Sequence, residues 1–308
     1  MKKSYFLIVG IVFAMFLLSS CDGSSNGTAT RGNPYRGGTE SVALSFEQNM
    51  PPSETFSDIS FDVAVKIRNT GEFIIPANTM SVRLEGFNHQ TYGLTNPEQT
   101  VDRELRGTVY DVDRNVIQGD EEFIEFSNLR YGADLSVTLA DVPIRAVVCY
   151  PYGTTANSNI CIKRNVNRDN PGDVCAVNEQ KTVHVSSGPV QVTSLQQSPR
   201  GSGSIAFNFQ VEHKGVGELY SNTDDSCSDE RERNKVLVTV NAPSGTSCST
   251  LGGGTSGVIT LTPGSGRLVT CTLDVSATSS DFVQEISVDL RYNYRQTITR
   301  TINIKPAD

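Results

Sequence analysis

Two stretches of this chain repeat one another. Ser60–Gly71, SFDVAVKIRNTG, and Ser204–Gly215, SIAFNFQVEHKG, share a serine, alternating apolar positions and a closing glycine at an offset of 144 residues. Further on, Tyr150-Pro151-Tyr152 and Ile160-Cys161-Ile162 correspond to Tyr292-Asn293-Tyr294 and Ile302-Asn303-Ile304 at an offset of 142. Two matches at nearly one offset indicate two copies of one supersecondary unit. The copies are alternating, so each unit is built of strands that bury one face. SVALSF at 41, FDVAVKIRN at 61, MSVRLEGF at 80, FIEFSNL at 123 and LSVTL at 135 repeat the pattern between Gly, Pro, Asn and Asp punctuation, and no stretch carries a clear 3.6-residue period.

The expected fold is all-β: two tandem β-sandwiches of about seven strands each, the first over 41–187 and the second over 188–308. Tyr152 and Tyr294 are expected at equivalent places near the ends of penultimate strands.

Ahead of the sandwiches stand two further segments. Lys2 and Lys3 precede fourteen residues, Tyr5–Leu18, in which Gly10 alone is not strongly apolar, and then Ser19, Ser20 and Cys21. This is the n-region, h-region and small-residue site of a signal peptide over 1–20, and the run is short of the ~20 residues a spanning helix needs. Residues 21–40 are rich in Gly, Ser, Thr and Asn and read as a flexible tether. The sequon Asn26-Gly27-Thr28 lies within it and has the composition of its surroundings.

Removing Met1–Ser20 takes away two lysines and no acid, so the net charge moves from −8 to −10. Such a chain repels phosphate backbones, and nucleic acid is not an expected partner. Seven cysteines leave six once Cys21 is set aside, an even number that reads as three disulfides in an exported chain. Cys248 and Cys271 lie on neighbouring strands and are the first pair; Cys161 and Cys175 bracket a polar loop and are the second, leaving Cys149 with Cys227. The alternative is Cys149–Cys161 with Cys175–Cys227. Either way one bridge joins the halves, because each half holds three cysteines. No CxxC pair exists and His89, His184 and His213 are far apart, which speaks against zinc.

Leu18-Ser19-Ser20-Cys21 resembles the lipobox of prokaryotic lipoproteins, which implies a lipid on Cys21 and a membrane partner on the outer face of the cell. Asp22 resembles the inner-membrane retention signal of enteric bacteria. Arg68-Asn69-Thr70-Gly71, closing an alternating strand, resembles the immunoglobulin-like adhesion-related modules of prokaryotic surface proteins. There the asparagine and glycine turn the chain between strands. LSFEQNMPPSE at 44–54, VKIRNTGEFIIPA at 65–77 and CYPYGTTANSNICI at 149–162 are similar to uncharacterised secreted proteins of small-genome archaea.

There is no GxSxG elbow, HExxH helix or Walker loop, and the glycine-rich stretches at 201–204 and 252–257 lack a following lysine and helix. No cofactor is expected. Asp111, Asp113, Asn115 and Glu122 fall at positions 1, 3, 5 and 12 of a calcium loop, although Val116 stands where glycine is needed. The plainer alternative is a polar hairpin, TVYDV and VIQ around DRN. The acidic run Asp224–Glu232 carries its own arginines and reads as a solvated turn. The expectation is thus a non-enzymatic, lipid-anchored surface protein with a binding, adhesion or structural role and protein partners at the envelope. The alternatives are a subunit of a larger exported assembly and, last, an enzyme without a readable motif.

Overall fold

The computed structural model describes residues 32–262 and 264–307, and the leader, Cys21 and the sequon lie outside them. Tyr35–Asp308 is one compact unit. Nineteen strands, numbered in chain order, form four sheets among the described residues. The first sheet is β1 (Val42–Phe46), β3 (Phe61–Asn69) and β8 (Glu121–Leu129). The second runs β10 (Glu179–Lys181), β12 (Val190–Pro199), β13 (Ser204–His213), β18 (Arg267–Asp274) and β16 (Thr246–Cys248). The largest runs β17 (Ser256–Thr260), β15 (Lys235–Asn241), β19 (Phe282–Lys305), β9 (Leu139–Ile162), β4 (Met80–Glu85) and β5 (Glu98–Val101). On it, β11 (Val183–Val185) pairs with β9, while β14 (Glu218–Tyr220) and β2 (Glu54–Phe56) pair with β19. The strands β6 (Val109–Tyr110) and β7 (Val116–Ile117) form a hairpin of their own.

The expected alternating runs at 41, 61, 80 and 123 are strands, but LSVTL at 135 is not. Val137 there is 68% exposed, and the strand begins only at Leu139.

The strands β9 and β19 are each 24 residues long and pair antiparallel from Ile162 opposite Phe282 to Leu139 opposite Ile304. At roughly 3.4 Å per residue the ribbon is about 80 Å long, well beyond an ordinary strand. Pro151 and Gly153 would normally break such a strand. They fall between the stretch paired with β4 (Arg145–Cys149) and the stretch paired with β11 (Ala156–Ser158), where β9 has β19 as its one neighbour. A missing N–H is tolerated at such a place.

Each long strand serves both halves. The backbone of Cys161, near the end of β9, is bonded by the side chain of Gln197 on β12, at 2.8 Å to its N–H and 2.6 Å to its carbonyl. Near the end of β19, Arg300 stacks on Phe46 of β1. Buried side chains of the three large sheets join one apolar core. The sequence boundary at 187/188 therefore does not divide the sheets.

The register explains the repeat. Tyr150 faces Tyr294, Tyr152 faces Tyr292 and Pro151 faces Asn293, so each copy meets the other reversed. This is the pairing that a two-fold axis through Pro151 and Asn293 produces. The tyrosines stand at the ribbon's centre and not near strand ends. All four are buried, with ring centroids 6.0–6.4 Å apart at tilted or edge-on angles.

Their hydroxyls are satisfied in matching ways. The Tyr150 hydroxyl donates to Gln296 Oε1 (2.6 Å), and the Tyr292 hydroxyl lies 3.0 Å from Thr154 Oγ1, the equivalent position. Gly71 and Gly215 pass so close that a Cβ would lie 1.8 Å from Tyr152 Oη and 2.2 Å from Tyr294 Oη. The repeated glycine is thus the space for a buried phenol. Beside it, Asn69 is buried and its Nδ2 donates to the carbonyls of Phe73 (2.7 Å) and Leu105 (3.0 Å), fixing the turn.

Gly71→Ala should cost about 2 kcal/mol by overpacking, and less in a Tyr152→Phe background, as read from urea midpoints. The remainder reflects the Glu40 carbonyl, 2.7 Å from the same Cβ. Burial favours the neutral phenols and pushes Tyr294 up to about 12. A raised folded pKa gives stability that is intact below the unfolded value of about 10 and lost as pH rises through the folded one. Unfolding free energy should therefore fall from pH 10 toward 12, with a shallower fall in Tyr294→Phe.

Candidate functional site

The three disulfides are Cys149–Cys227, Cys161–Cys175 and Cys248–Cys271, with Cα separations of 5.9, 5.6 and 3.9 Å. Cys248 lies directly opposite Cys271 in the β16–β18 register. Cys149, odd-numbered beside the inward Tyr150, is on the outer face of the ribbon, and its bridge packs with Tyr220 apart from the main core. This bridge ties the segment after β14 onto the ribbon's centre.

That segment contains the acidic run. Asp224 Oδ2 accepts from the N–H groups of Ser228 (3.0 Å) and Asp229 (2.9 Å). Asn293 Nδ2 donates to the Asp224 carbonyl (2.9 Å), Arg295 Nη1 donates to that of Cys227 (2.8 Å), and the Arg295 guanidinium lies 5.0 Å above the Tyr220 ring. Asp229 receives a side-chain bond from Arg231, then its backbone N–H, and these lower its pKa to about 2. The run is mostly exposed and Arg231 pairs with its own Asp229, as expected of a solvated turn, while the bridge, Asn293 and Arg295 hold it on the ribbon.

The calcium spacing does not become a site. Asp111 Oδ1 accepts from the N–H groups of Asp113 (2.9 Å) and Asn115 (2.8 Å), and Oδ2 accepts from Asn115 Nδ2 (3.0 Å). Its carboxylate closes the turn between β6 and β7, with Arg114 at φ +66°, and the Asn115 bond lowers its pKa. Glu122 is on β8, paired with Arg103. Asp111, Asp113 and Asn115 thus share a turn while Glu122 is engaged on β8, and no metal-holding group of three His, Cys, Asp or Glu occurs among the described residues.

A cluster that spacing rules did not reveal lies inside the Cys161–Cys175 loop. Lys163, whose side chain is 3% exposed, donates from Nζ to Asp173 Oδ2 (2.6 Å), the Arg168 carbonyl (2.6 Å) and Asp169 Oδ1 (3.0 Å). The Asp173 bond is the largest cause of the raised Lys163 pKa. Asp169 also accepts from the N–H groups of Val177 and Asn178. The ammonium is thus an internal cation that holds the loop in shape. In sequence, IKRNVNRDNPGDV showed only a polar loop.

His89 and His213 are likewise structural. His89 Nε2 lies 2.7 Å from the Leu84 carbonyl, and His213 packs edge-on against Tyr294 with Nε2 3.2 Å from its hydroxyl. Burial lowers the His213 pKa. A shallow groove of about 400 Å³ runs over the outer face of the ribbon beside Glu85, Arg145, Val147 and Thr297, walled by Val216 and Glu218. Glu85 is paired with Arg83, and Glu218 with Arg233 and Arg295. The lining offers ionic contacts and no nucleophile held by a base.

No protein-family model matches the sequence, and no curated protein matches it. Among solved structures, Escherichia coli alpha-2-macroglobulin activated by porcine elastase aligns over 86% of this chain and 33% of its own. The identity is 8% and the TM-score 0.19.

The Cys149–Cys227 bridge closes 78 residues, which by the chain-entropy relation is worth roughly 4–5 kcal/mol. Cys149→Ser/Cys227→Ser should show a stability loss of that order in urea, the largest for the three bridges, while the ribbon pairing persists by hydrogen exchange.

Proposed function

We propose that the chain is a non-enzymatic surface protein held at the outer face of the cell membrane by a lipid on Cys21, its role binding, adhesion or envelope structure. The observation that carries this is the pairing of Leu18-Ser19-Ser20-Cys21 behind a short apolar run with six further cysteines, all oxidised. Three disulfides fit an exported protein, and no helix among the described residues is long and apolar enough to cross a membrane. In this reading the body is a pair of immunoglobulin-like sandwiches fused through β9 and β19. His89, His213 and most of the tyrosine hydroxyls serve packing and hydrogen bonding, which suits a scaffold more than a reaction site.

A second reading, subunit of a larger exported assembly, is favoured by the hairpin β6–β7. Val109, Val116 and Ile117 are 45–52% exposed and Val112 is 99% exposed. Apolar exposure concentrated in one projection is a feature of contact surfaces.

The test is Cys21→Ser in the native host. The anchor reading expects the variant in the soluble fraction and the wild-type protein in the membrane fraction, with a mass increase on the mature N-terminal peptide. Membrane retention of the variant, with a detergent-extracted mass equal to that of an unmodified chain, would overturn it.

A further inference from the structure

The carboxylate of Glu72 accepts hydrogen bonds from three backbone N–H groups that belong to two distant segments. Arg36 donates to Oε1 at 2.9 Å, Gly37 to Oε2 at 3.0 Å, and Ser187 to Oε2 at 2.6 Å. The two segments also bond to each other. Gly188 N–H donates to the Gly38 carbonyl (3.1 Å), Ser187 Oγ to the Glu40 carbonyl (2.7 Å), and Gln191 Nε2 to the Gly38 carbonyl (3.1 Å). At its outer end the first segment is held by Tyr35, whose hydroxyl donates to Asn157 Oδ1 at 3.2 Å, and by Arg36 Nη1 on the Thr70 carbonyl at 3.0 Å. Residues 35–40, expected as free tether, thus lie bound to the body.

Beneath them runs 186–189, the connection from β11 to β12. Ser187 is fully buried, and its carbonyl accepts from the Tyr152 hydroxyl at 3.4 Å. A Cβ on Gly188 would lie 2.4 Å from Thr154 Oγ1 and 3.2 Å from Tyr292 Oη. The connection therefore lies on two of the four central tyrosines, and the N-terminal segment lies on the connection. Yet none of residues 35–40 contributes to the apolar core. The piece is held to the body by the hydrogen bonds above and adds no side chain to the core, and a segment outside the core opens locally at far less cost than the fold unfolds.

We propose that Tyr35–Glu40 is a releasable strap latched by Glu72, and that its release frees Ser186–Gly188 and opens the seam over Tyr152 and Tyr292. Where the lipid anchor of the proposed function is present, tension on it reaches this strap first. That one aspect rests on the proposed function; the latch does not.

The test is amide hydrogen exchange by NMR on the full chain in solution, with no membrane, so that failure of the anchor reading leaves it unaffected. Arg36→Pro removes one of the three N–H donors to Glu72 and the guanidinium bond to the Thr70 carbonyl, and leaves the Glu72 side chain and the residues of the connection in place. Exchange at Gly37, Ser187 and Gly188 is expected to rise together by about tenfold or more, with β13 unchanged. Glu72→Ala is expected to do the same more strongly. Either variant opening Gly37 while Ser187 and Gly188 stay within about twofold of wild type overturns the proposal, as does an unchanged Gly37 in Glu72→Ala.

Discussion

The antiparallel pairing of β9 with β19 is the contact on which the rest of the molecule depends. A sheet buries its inward face only where another layer covers it. Here each half supplies part of the layer that the other half needs. Without the second half, Val148 and Tyr150 lose the neighbouring Tyr294, Gln296 and Ile298; without the first, Leu290, Ile286 and Val288 lose Thr154, Ala156 and Ser158. The ribbon is long because it must reach through both halves, and the four tyrosines fill its centre because a two-fold axis brings each copy's pair together. Ring packing at edge-on angles suits aromatic quadrupoles, and each hydroxyl must find a partner once buried. For Tyr150 and Tyr292 the partners, Gln296 and Thr154, come from the opposite strand, so these two polar contacts enforce the same register as the apolar ones.

The all-β class and the positions of four strands were legible because alternation is a local property. The repeat was legible as well, down to the glycine at 71 and 215. What one chain of letters did not show is that two copies at a constant offset are placed face to face instead of in series. Strand length was hidden for a similar reason: Pro151 and Gly153 look like breaks, and only the gap between β4 and β11 makes them harmless. LSVTL fails in the opposite sense, since its alternation is real but no strand lies beside it, and β-propensity is mostly the fit to neighbours. The calcium spacing at 111–122 shows the limit of motif reading. Ligand types were correct, but the oxygens of Asp111 are taken up by their own turn, a local competition that Asp and Asn often win.

Where the copies differ, different devices solve the same problem. The outer face of the ribbon is covered at Cys149 by the disulfide-tied acidic loop. At the equivalent Arg291 it is covered by a guanidinium lying 4.9 Å above Phe73, and Gly153 leaves room for it. Sheet edges show the same divergence. The outer edge of β18 is paired with β16 and stapled by Cys248–Cys271. The equivalent β8 is instead capped by side chains, with Gln99 Nε2 on the Glu125 carbonyl at 2.8 Å and Arg103 on that of Glu121. An uncovered edge is a template for unwanted pairing, and both solutions remove it.

Symmetry also bears on where function can reside. Residues at the axis are constrained twice, because a change there disturbs packing in both halves, so the centre is poorly suited to carrying a variable recognition surface. Segments present in one copy alone carry no such double constraint. Two stand out: the hairpin β6–β7, whose place in the second half is taken by the short turn between β17 and β18, and the Cys161–Cys175 loop with its internal Lys163. The first exposes valine and isoleucine on a chain of net charge −8. The second is fixed by a disulfide and an ammonium, so its outward groups are held in one geometry. Loops positioned by a rigid scaffold are where binding residues concentrate, and these two are among the segments that one copy has and the other lacks.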